Sequence, residues 1–543
     1  MRECEVRRRQ AATAGGRNRG GHRVQGDRDQ GAAGHYYAAA ISAWHVVFPL
    51  MLLARALTAP IDYDEEQYVA AGLMARHFML YRDFIYLQPP ADPLLLAGLF
   101  TLSGGYYLLV ARVLTGALAT GVFVLTITLL RRYGAGRGLA VALASIVLLS
   151  PFLDRPTATS RNDILPLALF LAGLLLYLDA PQRSRAWLIA AGLCVGLAVE
   201  AKISYVFAPL ALLLHAAWPR TGRAAHLVPL AIGIALAALP GLYYLVEARD
   251  GFLFDLLEYH MTAPAAWYLR QGESGLLEPG HRLAVLAVLL AWGSNGSLAL
   301  LVAGLAAIRI WQGANDAVPP AAPPGLLGLL LGLAVLAGFQ PSPSWPMYYA
   351  PVAPLLAALT VSMFVRTRIT GPPELVPLLL VIAALPALPP LWARVTNLAG
   401  LARPATWPGI EVHYQAAELR ETIRAAGLTG DVATLFPVHA LDEDPVRPEF
   451  ASGPFFFRTA DLVPEDRIAR LHGASADSLE ALFAASPPAA ILGGFAKGQW
   501  SVEMDASLED YARHHGYRPV PLAPAELWPA GTWLYLRDAA APG

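Results

Sequence analysis

Five residues, Asp62-Tyr63-Asp64-Glu65-Glu66, stand directly after the first apolar stretch long enough to cross a bilayer. Carboxylates crowded at a membrane boundary repel each other and lose hydration, so their presence there points to chemistry. Tyr68, Tyr81-Arg82-Asp83-Phe84 and Gln88-Pro89-Pro90 continue the segment. A polar, aromatic loop of this kind suits chemistry on a lipid-linked polar substrate, with Tyr68 and Gln88 as substrate contacts. One carboxylate held there could take the proton of an acceptor hydroxyl as it attacks a sugar C1, a contribution of roughly 10²–10⁴-fold. Asp64 is the expected base, and Glu65 is its expected charge-tuning or metal-facing partner. The competing reading is a solvated loop whose acids are incidental.

Four further groups carry candidate chemistry. Arg161-Asn162-Asp163 precede an apolar helix that begins at Ile164. Asp163 would orient the acceptor or, with Asp64, hold a divalent cation, the one cofactor the acids suggest; the alternative is a plain helix N-cap. Arg161 would contact phosphate. Lys202 is one of only two lysines among 40 basic residues and lies between two apolar stretches. Such a lysine costs about 2.5–3.5 kcal/mol at a helix centre. It reads either as a cation for a lipid phosphate or as the ion-pair partner of Glu200. Tyr348 and Tyr349, within Trp345–Pro351, either form part of an aromatic belt or donate to the same phosphate. The long segment 248–282 suits a mobile lid, and its Arg270 would reach the phosphate, as would Arg82. His260 reads as structural, and His439 with Asp442, Glu443 and Asp444 as a solvated turn.

The composition says what must position these residues. Charged residues are 15% of the 543 and hydrophobic residues 56%, against about 25% charged in soluble domains. That deficit indicates a polytopic α-helical membrane protein. The net charge of −1 speaks against nucleic acid as a partner. Cys4 and Cys194 are too differently placed for a disulfide framework. About eleven spans are expected, near 36–60, 106–130, 138–154, 164–180, 186–200, 203–218, 225–247, 283–308, 325–340, 350–365 and 372–394. Arginines recur on alternate connections, which puts the acidic loop, Asp154–Asp163, Lys202, 248–282 and Pro341–Tyr349 together on the extracytoplasmic side. Pro93–Leu102 is apolar but too short to span, and reads as an interfacial or re-entrant floor.

Three regions follow. Residues 1–34 hold eight arginines and read as a disordered cytoplasmic tail, with anionic-lipid binding as the alternative. Residues 35–399 form the membrane domain. Residues 400–543 are more highly charged, with helices expected near 411–426, 476–486 and 506–515. Strands are expected at Asp431–Phe436, Ala489–Leu492 and Thr532–Arg537, giving a C-terminal extracytoplasmic α/β domain.

The first-loop pattern Asp64-Glu65-x-x-Tyr68, with Tyr81–Phe84 and Gln88-Pro89-Pro90, resembles the first external loop of GT-C superfamily glycosyltransferases. It is similar in kind to protein O-mannosyltransferases and lipid A aminoarabinose transferases. Arg161–Asp163, Gly196–Lys202 and Tyr348–Pro354 resemble later elements of the same enzymes. The resemblance implies an inner-membrane enzyme that transfers one sugar from a polyprenyl phosphate carrier to an extracytoplasmic acceptor, usually with inversion, with Asp64 as base. Three alternatives stand beside it, one of them a degenerate, non-catalytic scaffold that would tolerate loss of every acid named. A ligase or polymerase with a pyrophosphate carrier would rely on arginines. A transporter or flippase would carry charges near mid-span.

Overall fold

The computed structural model describes residues 20–180, 184–312, 324–366, 381–382, 384–441, 446–495, 504–522 and 528–538. Two compact units emerge, Met1–Leu50 and Met51–Gly543. The first carries most of α1 (Gly20–Thr58), in which Trp44 and Phe48 stack with ring centroids 5.7 Å apart. The helix thus begins inside the stretch read as a tail, and residues 1–19 lie outside the described residues.

The second unit is built on apolar helices. Those that frame the site are α2 (Glu65–Met74), α3 (Ala91–Ser103), α4 (Tyr107–Arg132), α5 (Arg137–Leu148), α6 (Ile164–Asp179), α7 (Arg185–Ala201), α8 (Phe207–Ala217) and α9 (Leu227–Ala237). Among the described residues only Ala38–Thr58, Tyr107–Arg132 and Pro346–Val365 are unbroken helices long and apolar enough to cross a membrane. Two bent helix pairs are long and apolar enough only when each is taken together, at 45° between Ala224–Ala237 and Leu239–Glu247 and at 83° between Pro279–Ala291 and Gly293–Ile308. Five further apolar helices have only 10–17 residues. The expectation of about eleven spans therefore overcounts unbroken crossings. Local breakers stand at the two bends: Pro240 opens the second helix of one pair, and Gly293 takes φ +57° in the other. Residues 372–380 and 383 of the expected span 372–394 lie outside the described ones. The segment 248–282 is not an open loop but mainly helical, including Arg249–Leu253 and Tyr259–Arg270.

α7 lies against α6 and α9. Small residues allow this approach. A Cβ on Gly192 would stand 2.1 Å from the Leu230 carbonyl oxygen, and one on Gly233 would stand 2.0 Å from that of Ile189. The backbones touch because neither residue has a side chain. α7 then ends at Lys202, whose backbone is extended and whose N–H still bonds the Ala198 carbonyl. A 3₁₀ turn, Ile203–Val206, leads into α8.

The C-terminal part carries a helix over Pro408–Ala425 and a four-stranded sheet. β1 (Val432–Ala433), β2 (Ala490–Gly493), β3 (Arg518–Pro521) and β4 (Trp533–Leu536) run in the order β1-β2-β4-β3. β1 and β2 are parallel, and the other pairs are antiparallel. Its core is continuous with that of the preceding region: Tyr68, Leu73 and Phe84 belong to one cluster with Phe436, Phe450, Ile491 and Leu534. Gly453, at φ +57°, passes so close to Glu66 that a Cβ there would be 3.1 Å from the Glu66 Cβ.

Replacing Gly233 with valine should force α9 off α7 and destabilise the protein by about 1–3 kcal/mol. Thermal unfolding in detergent measures this, and Gly121→Val on the open side of α4, where a Cβ meets nothing within 4 Å, is the control.

Candidate functional site

The site begins with a buried arginine. Arg112 on α4 is 1% exposed. Its guanidinium collects the carbonyl oxygens of Ala56, Ala59 and Pro60 at 2.9, 2.7 and 3.0 Å. It also donates to both oxygens of Glu65, at 2.6 and 2.5 Å. Glu65 accepts two backbone N–H groups besides, from Ser160 at 2.7 Å and from Asp62 at 2.9 Å. One carboxylate therefore ties three pieces of chain: the exit of α1, the start of α2 and the loop before α6. Both of its oxygens are used, and it is fully buried. The expected catalytic partnership of Glu65 with Asp64 is replaced by this bracing role, because a carboxylate with no free lone pair facing solvent cannot trade protons with substrate.

Joining the two loops brings the acids together. Arg161 Nη1 lies 2.5 Å from Asp64 and 3.0 Å from Asp62, and its Nε lies 2.9 Å from Asp163. Lys202 forms an ion pair with the other oxygen of Asp163. Its ammonium is 5.0 Å from the ring centre of Tyr348. Asp163 makes no N-cap bond to α6, so the capping alternative does not describe it. Nor does Lys202 pair with Glu200. That carboxylate faces Gly241, against which a Cβ would stand 2.8 Å away. Tyr68 follows Asp64 by four residues on α2, on the same side of the helix, and feels the charges of Asp64, Arg161 and Asp163. Gln88 accepts a bond from Asn162 at 2.8 Å, and its carbonyl accepts from the Tyr81 hydroxyl at 2.7 Å.

The two candidate acids differ sharply. Asp163 is 1% exposed and held between two cations. Burial alone would push its carboxyl up, but Lys202 and Arg161 together outweigh it and hold it below the usual range. Asp64 keeps 24% of its side chain exposed. Burial raises its carboxyl, Arg161 opposes this, and Asp62 and Asp163 raise it further. Asp64 is thus the more exposed of these two acids and holds a proton more readily than a free carboxylate.

Four expected phosphate or catalytic residues are placed elsewhere. Besides Glu65, Arg82 is 55% exposed and spends its charge on the adjacent Asp83 at 2.8 Å. Arg270 pairs with Asp461 at 2.8 Å, with both largely exposed. Tyr349 is fully buried, with its hydroxyl 2.9 Å from Ser344. Consecutive residues on the turn Pro346–Tyr349 point apart, so Tyr348 reaches the cluster and Tyr349 packs behind it. His260 bonds the Leu87 carbonyl at 2.7 Å and is structural, as read. His439 is buried rather than solvated, 2.7 Å from Gln415, and Asp442, Glu443 and Asp444 lie outside the described residues.

A divalent cation does not fit this donor set. Where an ion would bridge Asp64 and Asp163, the Arg161 guanidinium already bridges them. No cluster of three or more His, Cys, Asp or Glu suited to a metal occurs among the described residues. One site residue, Arg112, is absent from the sequence expectations, and Asp62 and Asn162 stand in the two motifs without a role of their own. A signal existed for Arg112, because a lone arginine near the start of an apolar span must have a buried partner.

Comparisons with known proteins bear on the fold that carries this site. Residues 86–337 match the sequence model of glycosyltransferase family 87. The crystal structure of ArnT from Cupriavidus metallidurans bound to undecaprenyl phosphate superposes with a TM-score of 0.57 at 14% identity, over 93% of this chain and 99% of that one. Its apo form gives 0.57 at 13% identity, over 94% and 100%. The Archaeoglobus fulgidus oligosaccharyltransferase in the apo form aligns at 12% identity over 83% of this chain and 70% of that chain, with a TM-score of only 0.41. No curated protein sequence matches. At these identities the likeness to ArnT is one of fold.

Two outcomes follow. Arg112→Ala, which leaves Glu65 buried and unpaired, should cost about 3–5 kcal/mol, read as a fall in unfolding temperature. Glu66, one residue from the brace, is held up at about 8 by burial, with the Val438 N–H opposing and Glu65 adding to the rise. The folded state therefore binds its proton more tightly than the unfolded state does. Stability should fall as pH rises from about 4.5 to about 8, and Glu66→Gln should flatten that slope in unfolding measured against pH.

Proposed function

On the premise that this chain is a membrane glycosyltransferase of the GT-C superfamily, we propose that it transfers a sugar from a polyprenyl phosphate carrier to a hydroxyl acceptor, with Asp64 as the base. The observation that carries this reading is the contrast between the acids: Asp64 is open and its carboxyl raised, while Asp163 is sealed between Arg161 and Lys202. The bound undecaprenyl phosphate of the ArnT structure supports the carrier class.

The acceptor hydroxyl attacks the anomeric carbon as Asp64 takes its proton. The bond from C1 to the phosphate oxygen breaks, and the electron pair leaves with the polyprenyl phosphate. The configuration at C1 inverts in this single displacement. The departing phosphate gains negative charge, so fixed cations near it stabilise the transition state more than the ground state. Lys202, held in line by Asp163 and by the Tyr348 ring, faces that role. Arg161 positions Asp64 while tempering its basicity. Tyr68 and Gln88 line the approach and would contact the sugar or the acceptor. The carrier's apolar tail requires the bilayer, and the reaction takes place on the extracytoplasmic side, to which the arginine-poor connections are assigned. The C-terminal part then lies on that side with it.

Asp64→Asn should fold as wild type yet lose transfer by at least about 10²-fold. Transfer of radiolabelled sugar from polyprenyl phosphate donors by purified protein measures it. In the wild-type enzyme the acid limb of the rate profile should fall above pH 3.8, in line with the raised Asp64 carboxyl. A D64N enzyme with full activity would remove the proposed base.

A further inference from the structure

The charge balance of the site leaves a donor phosphate no cation that is not already paired with an acid. Asp62, Asp64 and Asp163 face Arg161 and Lys202, three carboxylates against two cations. Arg155 lies 3.8 Å from Asp62, but its side chain is 63% exposed and adds little. Both inner cations are already engaged by acids. An incoming phosphate would meet a site that is negative before it arrives.

One more guanidinium faces this space, and it comes from the far end of the chain. Arg458 follows the short turn Pro454–Phe457. Its Cζ lies 5.0 Å from the ring centres of both Trp267 and Phe455. Tyr63, the neighbour of Asp64, packs edge-on against Phe455 with centroids 4.9 Å apart. The Tyr259 hydroxyl donates to the Phe455 carbonyl at 2.7 Å and so fixes that turn. Arg458 interacts electrostatically with Tyr259, Tyr63, Tyr268 and Asp64. Among the described residues it makes no ion pair with a carboxylate, and its Nε is buried with no hydrogen-bond partner. A half-buried guanidinium with no carboxylate beside it is costly unless an anionic ligand completes it. Two aromatic rings lie against it and its polar neighbours are the Tyr63 and Tyr259 hydroxyls, so no acid neutralises its charge, and a guanidinium is the group that grips a phosphate two N–H at a time. The wall continues from Trp267 through Tyr268 to Trp345, whose ring is 6.4 Å from that of Tyr268, and on to Tyr348 above Lys202.

We propose that Arg458 is a substrate-binding residue that the C-terminal part contributes to the membrane site, and that it binds the phosphate of the lipid-linked donor. This rests on the donor class proposed above. It gives the C-terminal part a direct role: docking against Glu66 through Gly453 and the Val438 N–H, at 2.9 Å, carries Arg458 over the acids. Lys202 and Arg458 would then hold the phosphate from opposite sides of one aromatic wall.

The test uses the full-length protein in detergent, with undecaprenyl phosphate and uncharged undecaprenol as probes. Arg458→Gln should weaken undecaprenyl phosphate binding at least about tenfold, the low end for hydrogen bonds to a charged group, and leave undecaprenol binding unchanged. Arg470→Gln, an exposed arginine paired only along its own helix, should change neither. A folded R458Q protein that binds undecaprenyl phosphate like wild type overturns the assignment. If R458Q does not fold, hydrogen exchange of the wild-type protein decides the matter. Undecaprenyl phosphate should protect residues 455–459 where undecaprenol does not, and equal exchange with the two probes overturns it. Wild-type protein that does not prefer the phosphate to the alcohol would instead overturn the donor class itself.

Discussion

The ion pair between Arg112 and Glu65 is the constraint on which the site depends. Both side chains are almost entirely out of water, so neither charge can be left alone without a cost of several kcal/mol. The arginine meets that requirement by ending three carbonyls at the exit of α1. The glutamate meets it by closing on the backbone of a second loop far away in sequence. Once these bonds form, the positions of Asp62, Asp64, Arg161 and Asp163 are determined by short, stiff connections of one or two residues.

That framework explains how acids of the same sign can share a small space. Carboxylates this close repel unless cations stand between them. Arg161 touches three of them, and Lys202 locks the innermost. The arrangement also divides labour by burial rather than by residue type. Asp163 is enclosed and anchors a cation. Asp64, joined to the same guanidinium, stays open on one side. The helix that ends at Lys202 is itself held against α9 by the close approach through Gly192 and Gly233.

Much of this was legible in the chain. Asp64, Asp163, Arg161, Lys202 and Tyr348 were singled out as polar or aromatic residues at apolar boundaries, and the structure gathers them into one cluster. The strands at Ala490–Gly493 and Trp533–Leu536 and the helix at Ala506–His514 also lie where their periodicity indicated. Arg82, Arg270, Glu65 and Tyr349 had the right residue types and wrong surroundings. Arg82 and Arg270 found exposed acids close at hand, Glu65 was taken by Arg112, and Tyr349 was turned inward by the 3₁₀ turn. Charge type is visible in a sequence, but the partner that neutralises it is not. The strand at Arg518–Pro521 was missed for a related reason: with two prolines it reads as a breaker, yet as an edge strand it needs only part of a hydrogen-bond ladder.

By itself, the sequence determined that the protein belongs in a membrane and that acids and a rare lysine collect at the ends of its apolar segments. Those facts follow from the cost of hydrating or burying each side chain, which is local. Tertiary structure alone decided which carboxylate braces, which anchors and which keeps some exposure, and that the guanidinium of residue 458 comes within electrostatic range of Asp64. Those outcomes depend on which charges meet once water is excluded, and that is settled by packing between segments hundreds of residues apart.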